Sequence, residues 1–96
     1  MIAIHITTIM GLKALMGEKK DQTIVLSDGD TVRDALNQLC NSYGPALNKR
    51  LFDDTGALNP GIAVFVNGCV IHALAGLDSS LKNDDTVLIF PPVGGG

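Results

Sequence analysis

The sequence predicts an α+β domain, a mixed β-sheet packed on one main helix and followed by a flexible glycine-rich tail. Three observations carry this. The chain has 96 residues, which suits one domain with one core. A single long apolar stripe at helical spacing runs from Val32 to Tyr43. Short β-branched runs stand on both sides of it.

Met1 to Met10 alternates, with Ile2, Ile4 and Ile6 on one face and Ala3, His5 and Thr7 on the other, so it reads as a strand. Gly11 to Lys20 offers a short helical turn (Leu12, Leu15, Met16) but is expected to be mostly connection. Asp21 to Ser27 is a second strand, closing an N-terminal hairpin with a long loop. Asp28-Gly29-Asp30-Thr31 turns into the helix. Thr31 is the expected cap, and Asp34 three residues on completes a capping box.

The stripe itself is Val32, Ala35, Leu36, Leu39, Cys40 and Tyr43, and Gly44-Pro45 ends the helix. Pro45 to Phe52 suits a second short helix, with proline tolerated in its first turn. Asp53 to Gly61 is a polar loop. Ile62 to Val66 is apolar throughout, as for a strand buried on both sides. Asn67-Gly68 suits a type I′ turn, because both residues tolerate positive φ. Cys69 to Ile71 is the expected return strand, Asp78 to Asp85 is turn-rich, and Thr86 to Phe90 is the last strand, apolar from Val87 on as for a central strand or one flanked by a partner.

Composition excludes some functions. Net charge is −3 with a pI of about 5.0, and the largest basic groups are the pairs Lys19-Lys20 and Lys49-Arg50. A phosphate backbone needs clustered cations, so nucleic acid is an unsuitable partner and basic protein surfaces suit better. The apolar runs are too short for a membrane span. No basic segment followed by an apolar block opens the sequence, so no signal peptide is expected. Two distant cysteines, Cys40 and Cys69, give neither a disulfide framework nor a metal-ligand spacing. A reducing, cytoplasmic setting is the expectation.

The end of the chain is the one feature that the fold does not require. Pro91-Pro92 cannot continue a sheet ladder and holds the chain extended. Val93 and three glycines follow, and six extended residues reach roughly 20 Å. Glycine lets a backbone pass through a channel where any Cβ would collide. The division expected is a domain over 1–90 and an extended functional tail over 91–96. A frayed terminus is the alternative that composition alone leaves open.

Phe90-Pro91-Pro92-Val93-Gly94-Gly95-Gly96 closely resembles the ending of the MoaD-like small subunit of molybdopterin synthase. Asn83-Asp84-Asp85-Thr86-Val87 is similar to that family's acidic turn and final strand, and Val66-Asn67-Gly68 to its hairpin. The helix start after Asp28 is similar too. The resemblance implies a β-grasp, ubiquitin-like fold and a sulfur carrier for molybdenum or tungsten cofactor synthesis. By it, the Gly96 carboxylate is adenylated and then thiocarboxylated. Gly94 and Gly95 thread into partner active sites, and Phe90, Pro91, Pro92 and Val93 direct and anchor the tail.

The implied partners are an ATP-dependent activating enzyme and the large molybdopterin synthase subunit. The resemblance also implies that the chain is non-catalytic alone and binds no cofactor itself, ATP being used by the activating enzyme. Gly94 stands where the family often has another small residue, and Gly11–Lys20 and Asp53–Pro60 are longer than in the shortest members. A thiazole-synthesis sulfur carrier shares fold and diglycine. A ubiquitin-like modifier joined through Gly96 to lysines, or an interaction domain with an inert tail, is also compatible.

The remaining candidates have plainer explanations. Cys40 lies on the core stripe. Cys69 follows the turn with no expected basic neighbour to activate it. His5 and His72 are expected at the surface, and Asp84-Asp85 in a solvated loop rather than around a metal. The glycines end the chain rather than precede a helix, so they form no phosphate cradle.

Overall fold

The computed structural model describes residues 1–91, with the side chains at positions 10, 11 and 13 left aside. β1 (Ile2–Thr8) and β2 (Asp21–Leu26) form the expected antiparallel hairpin, with Ile4 opposite Ile24. α1 (Val32–Tyr43) and α2 (Pro45–Leu51) follow, then β3 (Ala63–Val66), β4 (Cys69–Val70) and β5 (Thr86–Phe90). The sheet order is β2-β1-β5-β3-β4, with β1 and β5 parallel and the other neighbours antiparallel. This mixed sheet clasping one main helix is the β-grasp arrangement. Among the described residues no helix is long and apolar enough to cross a membrane.

The α1 start forms as its residue types dictate. The Asp34 amide donates to Thr31 Oγ1, and the Asp34 carboxylate accepts from the Thr31 amide at 2.9 Å, so the box closes in both directions. Val32, Ala35, Leu36, Leu39 and Cys40 are buried against the inner sheet face of Ile4, Ile6, Val64, Val87 and Ile89. Gly44 ends α1 at φ 99°, and Pro45 opens α2. Asn59 then donates its side-chain amide to the Lys49 and Arg50 carbonyls, each at 2.9 Å, and so satisfies the end of α2.

Several expectations change. The connection after β1 is a 3-10 helix, Met10–Leu15, and it helps to close the core: Leu12 and Met16 are fully buried. β3 is not buried on both sides. Val64 and Val66 face the core, while Ala63 and Phe65 are only half-buried on the outer face. An apolar run concealed a one-sided strand, because among the described residues no helix covers that outer face. The return strand stops at Val70, since Ile71 turns inward through a 3-10 helix, Ile71–Ala73, and is buried.

Asp84-Asp85 is not simply a solvated loop. Asp85 accepts from the Lys82 amide and from the Asn67 side-chain amide, each at 2.8 Å. Asn67 Oδ1 in turn accepts from the Thr86 amide at 2.9 Å. In the polar loop Asp53 gathers the Thr55 hydroxyl and the amides of Thr55 and Ala57. Those bonds, the Thr55 hydroxyl first, hold its carboxyl below the usual carboxylate range.

Candidate functional site

β5 leads to the chain's end, and its neighbours decide what surrounds it. It lies between β1 and β3, so Val87 and Ile89 point into the core while Leu88 and Phe90 point outward. Register places Phe65 opposite Leu88, Ala63 opposite Phe90, and Val70 opposite Phe65. The Phe65 and Phe90 rings meet edge to face, with centroids 5.5 Å apart and planes at 73°. Thr7 lies beside Leu88 on the β1 side. These outward side chains are all half-buried, giving a largely apolar outer face along β5 up to Phe90.

Phe90 and Pro91 are therefore placed: Phe90 on this face, and Pro91 buried just after the strand. Pro92, Val93, Gly94, Gly95 and Gly96 lie outside the described residues. Sequence reasoning named Phe90 but missed Phe65 and Leu88. The signal was present, because the type I′ turn fixes Val66 opposite Cys69 and so sends Phe65 to the opposite face from Val64 and Val66.

The two motifs at the start of β5, the hairpin turn and the acidic turn, are bonded to each other. Asn67 has φ 51° and Gly68 φ 84°, as a type I′ turn requires. The Asn67 amide donates to the Thr86 carbonyl at 2.9 Å, in addition to the Asp85 and Thr86 contacts above. The hairpin and the acidic turn thus form one unit that fixes where β5 starts.

The other candidates are dispersed. Cys40 is buried, and burial pushes its thiol above the ordinary value. Cys69 is exposed on the hairpin. His72 is exposed in the 3-10 helix after β4. His5 is at the surface, with Nε2 3.4 Å from Asp84 Oδ1 and Nδ1 3.4 Å from Thr23 Oγ1. Among the described residues there is no metal-binding group of three His, Cys, Asp or Glu side chains.

Residues 12–96 match the profile of the ThiS family. Small archaeal modifier protein 1 from Haloferax volcanii is 43% identical over 70 residues, covering 72% of this chain and 75% of that protein. A putative sulfur carrier protein from Archaeoglobus fulgidus is 38% identical over 66 residues, covering 69% of this chain and 74% of that protein. The crystal structure of SAMP1 from Haloferax volcanii superposes with a TM-score of 0.83 at 31% identity, covering 98% of this chain and 99% of that one.

Proposed function

This chain belongs to the ThiS family of ubiquitin-like small sulfur carriers, and from that premise we propose that it works through the carboxylate of Gly96. That carboxylate attacks the α-phosphate of ATP on an activating enzyme, releasing pyrophosphate and forming an acyl adenylate. Hydrosulfide attack at the same carbon expels AMP and leaves a thiocarboxylate. Its sulfur adds to an electrophilic carbon of a pterin precursor held by a large synthase subunit, on the route to a molybdenum or tungsten cofactor. Water then cleaves the acyl–sulfur bond, restoring the Gly96 carboxylate and leaving sulfur on the product.

The observation that supports this reading is the placement of Phe90 and Pro91. The last strand, β5, is central and its outer face is apolar, so a partner resting on Phe65, Leu88 and Phe90 sits next to Pro91, from which the proposed working segment continues. Pro92 and Val93 continue that contact. Gly94 and Gly95 then enter the partner's channel, which a Cβ would obstruct.

Incubation with an activating enzyme, ATP and sulfide tests it by intact-mass measurement. A gain equal to replacing one oxygen by sulfur is expected, and it disappears when Gly95-Gly96 are deleted. An unchanged mass with an enzyme that charges other carriers of this family would sink the proposal.

Similarity to Small archaeal modifier protein 1 favours a second reading, conjugation to target proteins. The same acyl adenylate can meet a lysine amine instead of sulfide and form an isopeptide bond. Conjugate ladders on a denaturing gel, lost with Gly95-Gly96, distinguish this outcome from sulfur transfer to a small molecule.

A further inference from the structure

A strand at a sheet edge carries unpaired N–H and C=O groups, which proteins usually blunt with lysines, prolines, bulges or a covering segment. β2 carries neither proline nor a basic residue along Asp21 to Leu26, and among the described residues it pairs with β1 alone. The hydrogen-bonding phase says which groups are free. The Thr8 amide donates to the Lys20 carbonyl at 2.8 Å, extending the ladder that runs from Ile2 opposite Leu26 to Thr7 opposite Asp21.

Hydrogen-bonded pairs alternate in an antiparallel ladder. Gln22, Ile24 and Leu26 therefore turn their main-chain groups toward β1, and Thr23 and Val25 turn theirs outward. The far side of β1 shows the matching phase, with the His5 amide on the Asp85 carbonyl at 2.9 Å and the Asp84 amide on the Ala3 carbonyl at 2.7 Å. Val25 also leaves an apolar side chain 48% exposed on this edge.

We propose that the β2 edge pairs with the β2 edge of a second copy of this chain, antiparallel about a twofold axis at Ile24. Thr23 of each copy then faces Val25 of the other, and roughly four main-chain hydrogen bonds close across the axis. Charge selects the antiparallel sense. The strand is preceded by Lys19-Lys20 and followed by Asp28, all exposed; the Asp28 carboxylate meets the Met1 amino group at 2.9 Å yet stays 80% exposed, open to a second cation. Antiparallel pairing sets Lys20 of each copy opposite Asp28 of the other, at both ends. Parallel pairing sets lysine on lysine and acid on acid.

Register follows as well. Sliding one step toward Asp30 needs the Ser27 main chain, whose amide already donates to the Asp30 carboxylate and whose carbonyl accepts from the Asp30 amide. Sliding the other way sets Lys20 opposite Leu26. The pairing joins two five-stranded sheets into one and leaves the outer face of Phe65, Leu88 and Phe90 uncovered. A contact this short falls below the about 1,200 Å² of a standard interface, so the dimer is weak and concentration-dependent.

Sedimentation velocity across the micromolar to millimolar range tests this. The wild-type chain shows a monomer–dimer equilibrium. Val25→Pro removes an outward N–H without touching the β1 ladder, and it weakens association at least about tenfold. Lys20→Glu and Asp28→Lys each dissociate the dimer alone. Mixed in equal amounts they associate again, since each altered charge then meets its opposite. Both substitutions lie outside the strand, Asp28→Lys giving up only an exposed ion pair with the Met1 amino group, and they remain decisive should Val25→Pro misfold. A wild-type chain that stays monomeric throughout, or a dimer indifferent to the charge changes, overturns the proposal.

Discussion

At the scale of single residues, the two cysteines show how position sets chemistry. Cys40 occupies the α1 stripe and is 8% exposed, whereas Cys69 stands on the hairpin in solvent. Ionising Cys40 places a thiolate beside apolar side chains, so its folded-state pKa lies above the unfolded value. The stability this contributes is fully present below the unfolded pKa and is lost as pH rises through the folded one. Alkylation of the native chain at mildly alkaline pH is therefore expected to label Cys69 alone, with Cys40 reacting only after denaturation. Peptide mapping checks this, and equal native labelling of both would refute it. Cys40 was legible because its helical spacing located it. Asp85 was not, because its two donors, Asn67 and Lys82, are fixed by a hairpin docking that no local pattern displays.

Among the elements, those whose signals are local were legible. β1, β2 and α1 appear where alternation, capping chemistry and the apolar stripe put them, within one or two residues of the expected ends. β3 failed in the opposite way: its run of apolar residues concealed which side was covered, and that depends on helices packing on one face only. Leu12 and Met16 were seen as a possible turn, but their complete burial depends on the long loop folding under the sheet. The β3–β4 turn is the element whose sequence makes the sharpest demand. A Cβ at Gly68 would meet nothing within 4 Å, so a substitution there is strained by its φ of +84° alone. Gly68→Ala should cost about 1–2 kcal/mol. Gly68→Asn should recover part of that, since asparagine tolerates the left-handed region. Urea unfolding with unchanged m-values measures both, and a neutral Gly68→Ala would show that the turn relaxes to another type.

For the whole molecule, the fold and the proposed chemistry use different parts of the chain. The buried apolar cluster is drawn from β1 through Ile89, and the residues proposed to carry sulfur come after it. Stability and activity should therefore separate under mutation. Leu36 is fully buried beneath the sheet, and Leu36→Ala should remove about 2–5 kcal/mol. That is a large share of the about 5–15 kcal/mol that holds a small domain together. Below its lowered melting temperature this variant should still accept sulfur at Gly96, because the tail and the outer face of β5 are unaltered. Deleting Gly94-Gly95-Gly96 should do the reverse. Its melting temperature should stay within about 4 °C of wild type, the shift that about 1 kcal/mol produces in a domain of this size, while thiocarboxylate formation is lost. Calorimetry and intact-mass measurement on the same two preparations read both quantities. A truncated chain that melts far below wild type would mean that the terminal glycines belong to the folded core, and the division into body and working end would fall.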